Sequence, residues 1–159
     1  MTTDNEERPC DVATSNGGDE PFLGYVLDEQ VGFLLRKAYQ RHMTIFARSM
    51  IGGLTPTQFS TLFRLFAEPG PISQNALGRL VAMDAATTKG VISRLEKQGL
   101  ITTERDTEDK RRYVLQSTAK GQQLIREAIP VVKGITEATL DPLTKSEREM
   151  FLKLLAKLC

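Results

Sequence analysis

Residues 85 to 115 constrain this chain more than any other stretch. Thr88, Val91, Ile92 and Leu95 recur at helical spacing, Gly99 suits the left-handed residue that commonly ends a helix, and Leu100-Ile101 is a short apolar step. A charged loop, Arg105-Asp106-Thr107-Glu108-Asp109-Lys110-Arg111-Arg112, then leads into the strand-like Tyr113-Val114-Leu115. The order predicts a helix followed by a β-hairpin with a basic tip, its arms at Leu100-Ile101 and Tyr113-Val114-Leu115.

The flanking sequence supplies more helices. From Gly24 to Met50 the apolar residues Leu27, Val31, Leu34, Leu35, Ala38, Ile45 and Phe46 mark a long first helix that ends at Gly52-Gly53. Thr55-Pro56-Thr57-Gln58 combines a threonine cap, proline at the first helical position and a glutamine that closes a capping box. Phe59, Leu62, Phe63 and Phe66 are expected to form the buried face of that helix. Pro69-Gly70-Pro71 stops it, Ser73 caps a short helix carrying Ala76, Leu77, Leu80 and Val81, and Asp84 caps the next across a tight Ala82-Met83-Asp84 link. After Ser117-Thr118 a second long helix runs through Leu124, Ile125, Ala128, Ile129, Val132 and Ile135, bent by Pro130. Asp141-Pro142 breaks the chain, and the capping box Thr144-Lys145-Ser146-Glu147 opens a terminal helix with Phe151, Leu152, Leu154, Leu155 and Leu158. The predicted fold is mainly α with a small β-hairpin wing, a winged helix-turn-helix.

Residues 1–21 are polar, with almost no aliphatic side chain to offset ordering entropy, and are expected to be a disordered acidic tail. Residues 22–159 are expected to form one domain, with the reading lobe at about 55–116. The tail holds six acids against Arg8, a formal −5, so a chain whose total is +1 carries +6 on the rest. Local rather than total charge sets phosphate attraction.

Composition excludes several classes. No apolar run approaches the roughly 18 residues of a spanning helix, and the acidic start lacks a signal-peptide pattern, so a cytoplasmic protein without membrane contact is expected. Cys10 and Cys159 lie near opposite ends and His42 is the single histidine, which argues against a disulfide framework, a metal cluster or any cofactor. There is no nucleophile-base-acid set and no glycine-rich phosphate loop, so an enzyme is not expected.

Two short helices and a tight link fit a reader of double-stranded DNA, whose second helix enters the major groove while a wing arginine reaches the minor groove. Asp84 heads that helix; Ala85, Ala86, Thr87, Thr88 and Lys89 offer small or donor side chains to base edges, with Arg94 further along. Ser73, Gln74 and Asn75 are placed to meet phosphates. In the wing, Asp109 and Arg111 are two apart, so the carboxylate is expected to hold the guanidinium in a bidentate pair, with Lys110 between them. The alternatives are a solvated amphipathic helix, a charged surface turn, and a winged-helix module that binds protein instead.

Arg94-Leu95-Glu96-Lys97-Gln98-Gly99-Leu100-Ile101, Asp106-Thr107-Glu108-Asp109-Lys110-Arg111-Arg112 and Thr118-Ala119-Lys120-Gly121 resemble the multiple antibiotic resistance regulator (MarR) family of winged-helix transcription factors, over about 25–158. Asp109-x-Arg111 is the family's signature wing element; Thr103, Gly90 and Ser117 depart from its usual pattern. The resemblance implies a homodimer built from N- and C-terminal dimerisation helices, about 24–50 and 118–158, on a near-palindromic operator. The alternative is that the leucines of the terminal helix fold back on their own chain. The resemblance also implies repression relieved by a small-molecule effector, an aromatic acid or its coenzyme A thioester, since the first helix is similar to a subgroup associated with aromatic-acid catabolism. Arg36, Tyr39, His42, Met43 and Phe46, facing Phe63 and Phe66, are the implied ligand residues, against the alternative of an ordinary aromatic core. Redox control through Cys10 is the other regulatory possibility.

Overall fold

A computed structural model of the chain describes residues 24–106, 109 and 111–159. The acidic tail, with Cys10, and Lys110 of the wing lie outside the described residues. A single 3-10 turn, Leu27–Glu29, precedes α1, Val31–Ser49. The order continues α2 (Pro56–Ala67), β1 (Ile72–Ser73), α3 (Gln74–Leu80), α4 (Ala85–Lys97), β2 (Ile101–Arg105), β3 (Tyr113–Ser117), α5 (Ala119–Leu140) and α6 (Lys145–Leu155). The sheet is antiparallel in the order β1-β3-β2, with Ile101 opposite Ser117, Arg105 opposite Tyr113, and Ile72 opposite Leu115.

Three expectations are corrected here. The first helix begins at Val31 rather than near Gly24. The hairpin arms are five residues each, and Ile72–Ser73 adds a third strand too short to leave a periodic signal. On α2 the buried stripe is Gln58, Thr61, Leu62 and Leu65, while Phe59, Phe63 and Phe66 are only half-buried. Polar residues can occupy that stripe because each is satisfied locally: the Thr55 N–H donates to Gln58 Oε1 at 2.9 Å, and Thr61 Oγ1 donates to the Thr57 carbonyl at 2.8 Å.

The core lies inside the reading lobe, where Leu62, Leu77, Leu95, Leu115 and Ile125 bring α2, α3, α4, β3 and α5 together with essentially no exposure. Both short helices end in Schellman motifs. After α3 the Met83 N–H donates to the Gly78 carbonyl at 3.0 Å, and Ala82 takes a positive φ of 51°. After α4 the Leu100 N–H donates to the Leu95 carbonyl at 2.9 Å, with Gly99 at φ 69°. The second motif turns the chain from the helix into the hairpin and buries Leu100.

Thr118-Ala119-Lys120-Gly121 has a mechanical role. Thr118 caps α5 by accepting from the Gly121 N–H at 3.0 Å, and its hydroxyl donates to the Gly99 carbonyl at 2.8 Å. Lys120 Nζ donates to the Gln98 carbonyl at 2.7 Å, and the Thr118 N–H to the Leu100 carbonyl at 3.0 Å. A Cβ on Gly121 would stand 2.1 Å from that same Leu100 oxygen. The start of α5 is therefore clasped directly onto the end of α4, and α5 runs on through the exposed Pro130 to Leu140.

Candidate nucleic-acid interface and effector cavity

The first turn of α4 is organised by Asp84. Its Oδ1 accepts from the Thr87 N–H at 2.9 Å and its Oδ2 from the Thr87 hydroxyl at 2.7 Å. The Thr87 backbone bond, then its hydroxyl, hold the carboxyl below the usual aspartate range. Asp84 thus acts on the helix itself, while Ala85, Ala86, Thr87, Lys89 and Arg94 are exposed along it. Thr88 is the exception. It is 1% exposed and its hydroxyl donates to the Asp84 carbonyl at 2.7 Å, so it packs against α3 beside Gly78 and cannot reach a base edge.

Ser73 caps α3, accepting from the Ala76 N–H at 3.3 Å. With Gln74 and Asn75 it lines a cleft of about 530 Å³ closed by Arg79, Arg112 and Tyr113. Arg79 and Arg112 are not among the DNA-contact residues expected from the sequence, although Arg112 belongs to the charged loop. Asn75 and Arg79 are one helical turn apart, a spacing that marks a shared face. Arg112 joins them only because the β1–β3 pairing brings the wing back beside α3.

At the wing tip the Asp106 N–H donates to the Arg112 carbonyl at 3.0 Å and the Arg112 N–H to the Asp109 carbonyl at 2.9 Å. Asp109 Oδ1 accepts from the Arg111 backbone N–H at 3.0 Å, which corrects the expected carboxylate–guanidinium pair. The aspartate shapes the turn, as a short acidic side chain two residues upstream of an N–H does, and the Arg111 side chain is left exposed. Behind the tip, the Arg105 guanidinium lies 5.8 Å from the Tyr113 ring centroid. The Thr103 hydroxyl donates to the Glu96 carboxylate, tying β2 to α4.

The seven implied ligand residues do not converge in the chain. Tyr39 and His42 line an apolar cavity of about 350 Å³ between α1, α5 and α6, with Leu35, Thr139, Phe151 and Leu155 among its walls. Phe46 is buried below them, its ring 6.0 Å from that of His42. Phe63 stacks instead on Phe59 at 6.0 Å and lines a separate cavity of about 200 Å³ against Ile129, Val132 and Lys133. Phe66 lies under the Arg126 guanidinium at 5.3 Å. Arg36 is exposed, bonded to Gln40 at 3.4 Å and set over the Phe33 ring, and Met43 is half-buried outside both cavities. The division follows from α1 packing mainly on α5.

Known proteins share this architecture. The MarR family model matches residues 54–113, from the start of α2 to the wing. The chain is 39% identical to the HTH-type transcriptional repressor NicR of Pseudomonas putida, over 84% of its own length and 85% of that protein. A probable transcriptional regulator from Pseudomonas aeruginosa superposes with a TM-score of 0.81 at 45% identity, over 84% of this chain and all of that one. BpsR of Bordetella bronchiseptica, whose DNA binding is regulated by 6-hydroxynicotinic acid, gives a TM-score of 0.78 at 36% identity, over 84% of this chain and 96% of that one. With the helix pair, the clasped hairpin and these relatives in agreement, the chain belongs to the MarR family of transcriptional regulators.

Proposed function

We propose that the protein is a homodimeric repressor that grips a near-palindromic DNA operator and releases it when an aromatic acid, or its coenzyme A thioester, binds. The observation that carries the DNA reading is one surface. Exposed Ala85, Ala86, Thr87, Lys89 and Arg94 on α4 adjoin a cationic cleft of Ser73, Gln74, Asn75, Arg79 and Arg112 and an exposed wing arginine, Arg111. Small side chains let α4 approach base edges, the cleft meets phosphates, and Arg111 reaches the minor groove. Lys110 joins this set from the sequence.

Dimerisation is supported by what the chain leaves uncovered. No residue of α6 is buried, Leu154 is 51% and Leu158 72% exposed, and Val31, Leu34 and Tyr39 on α1 are likewise open. A second copy covers these faces by twofold symmetry and sets two reading heads on one side of the duplex. No helix among the described residues is long and apolar enough to cross a membrane, and a regulator of operator DNA works in the cytoplasm.

The effector reading rests on the cavity that holds Tyr39 and His42, large enough for a single ring, and on the regulation of BpsR by a small aromatic acid. A thioester's nucleotide would extend beyond it. Helix α5 lines this cavity with Thr139 near one end and clasps α4 at the other, so a ligand that favours one setting of α5 changes the spacing of the heads. A differential affinity of about 1–3 kcal/mol weakens DNA binding roughly 5- to 150-fold.

The test is fluorescence anisotropy on labelled DNA flanking the gene. Wild type is expected to bind, and Arg111→Ala to lose about ten-fold or more. Equal binding by both removes the wing from the mechanism. Failure to bind any DNA overturns the proposal in favour of a protein-interaction module.

A further inference from the structure

Over residues 85–90 of α4 the exposed side chains are those of Ala85, Ala86, Thr87 and Lys89, so the polar groups offered there are one hydroxyl and one ammonium. A lysine only donates, whereas a threonine hydroxyl donates one proton and accepts on two lone pairs, so what Thr87 offers depends on where its proton is already committed. The hydroxyl lies 2.7 Å from Asp84 Oδ2, and the Thr87 N–H donates to Oδ1 of the same carboxylate at 2.9 Å. An ionised carboxylate has no proton to give, so the hydroxyl is the donor of that pair, and two bonds to one residue fix its direction. Thr87 therefore comes to DNA with its lone pairs free, an acceptor where the residue type alone suggests a donor. Among the described residues nothing donates to that oxygen. Gly90, one helical turn along, has nothing within 4 Å of where a Cβ would stand, so no side chain at that position shields the hydroxyl.

We infer that Thr87, set by Asp84, is a specificity-determining residue that accepts from the exocyclic amino group of a base, so that the operator carries adenine or cytosine, and not guanine or thymine, at the base it faces. The inference rests on the DNA reading above and adds a base preference to it. Phosphate oxygens only accept, so the bonded hydroxyl has no proton for them, and the negative charge of Asp84 beside it repels them. Base edges are the remaining partners. In the major groove adenine N6 and cytosine N4 donate, whereas guanine N7 and O6 and thymine O4 accept. An acceptor set against an acceptor leaves both unsatisfied once water is excluded, so guanine and thymine are rejected at that position. Asp84 is a positioning residue here, because it acts only through the direction it imposes on the Thr87 proton.

Sequencing the duplexes that the full-length protein retains from a library of randomised DNA tests this. Wild type is expected to enrich adenine or cytosine over guanine or thymine about ten-fold at one position of each half-site. Thr87→Val, which keeps the shape and loses the acceptor, is expected to bring that position to parity, and Thr87→Ser to retain the preference. Asp84→Asn gives the sharper outcome. Asparagine remains a helix cap, and its amide oxygen must stay on the Thr87 N–H, which leaves its NH₂ to donate to the hydroxyl. The freed proton makes Thr87 a donor, and the preference at that position is expected to reverse toward guanine or thymine. A helix merely weakened at its cap would lose affinity for all sequences alike and reverse nothing. A Thr87→Val protein with wild-type preferences at every position, or an Asp84→Asn protein that binds DNA without the reversal, overturns the inference and leaves the DNA reading standing. Enrichment of no sequence by wild type overturns both.

Discussion

Gly121 shows how much a single missing methyl group can determine. Its α-carbon faces the Leu100 carbonyl so closely that a Cβ would stand 2.1 Å from the oxygen and 3.2 Å from a Leu62 methyl, and the neighbour is backbone already bonded to Thr118. Gly121→Ala is therefore expected to lower stability by about 1–3 kcal/mol, as overpacking of a rigid site does, and to loosen α4 from α5. Gly134→Ala is the matched control. It lies in the same helix with nothing within 4 Å of the added atom, and is expected to raise stability by about 0.5–1 kcal/mol through helix propensity. Urea midpoints of the two variants check the pair, and equal effects would mean that the clasp does not constrain α5. Thr88 teaches the complementary lesson: its one-letter character suits a base contact, but its place on the inward stripe with Val91, Ile92 and Leu95 puts it in the core.

At the scale of elements, helix starts carry most of the information that is local in sequence. Thr55, Ser73, Asp84, Thr118 and Thr144 are all observed side-chain caps, and the boxes at Thr55 and Thr144 close in both directions. Glu147 accepts from the Thr144 hydroxyl and from its N–H, each at 2.7 Å, which holds its carboxyl below the usual glutamate range, as Thr87 does for Asp84. A folded-state value below the unfolded one means that these bonds stabilise the protein above about pH 4 and that their contribution is lost as the pH falls through the lowered values. The stability gap between wild type and Asp84→Asn/Glu147→Gln is expected to be widest at pH 7 and to close toward pH 3. A gap unchanged across denaturation curves at these pH values would remove the caps from the acid limb. The wing illustrates the opposite case, because its two-residue aspartate–arginine spacing was legible while its bonding was not. The Asp109 carboxylate found a backbone N–H nearer than the guanidinium, and turn geometry rather than charge attraction decided the partner.

For the whole molecule, the uncovered faces of α1 and α6 are the features that most affect behaviour in solution. Introducing charge there with Leu154→Asp/Leu158→Asp is expected to yield the 17.7 kDa monomer in sedimentation equilibrium with circular dichroism preserved, and to weaken operator binding by about 10²-fold or more, since one head then binds without the other. A variant that stays dimeric would take α6 out of the interface. Apart from the two-residue strand Ile72–Ser73, the element order, the caps, the helix pair and the hairpin were legible from the residues alone, because helical period, strand alternation, capping and turn chemistry act over a handful of neighbours along the chain. Resemblance to a family carried the rest of the functional expectation. What the linear order could not determine was which distant residues meet: Arg79 with Arg112 across the β1–β3 pairing, Tyr39 and His42 with Thr139 across α1 and α5, and Phe63 turned away from both. Those meetings depend on the direction in which one helix packs on another, and that direction is set by side chains from several elements at once.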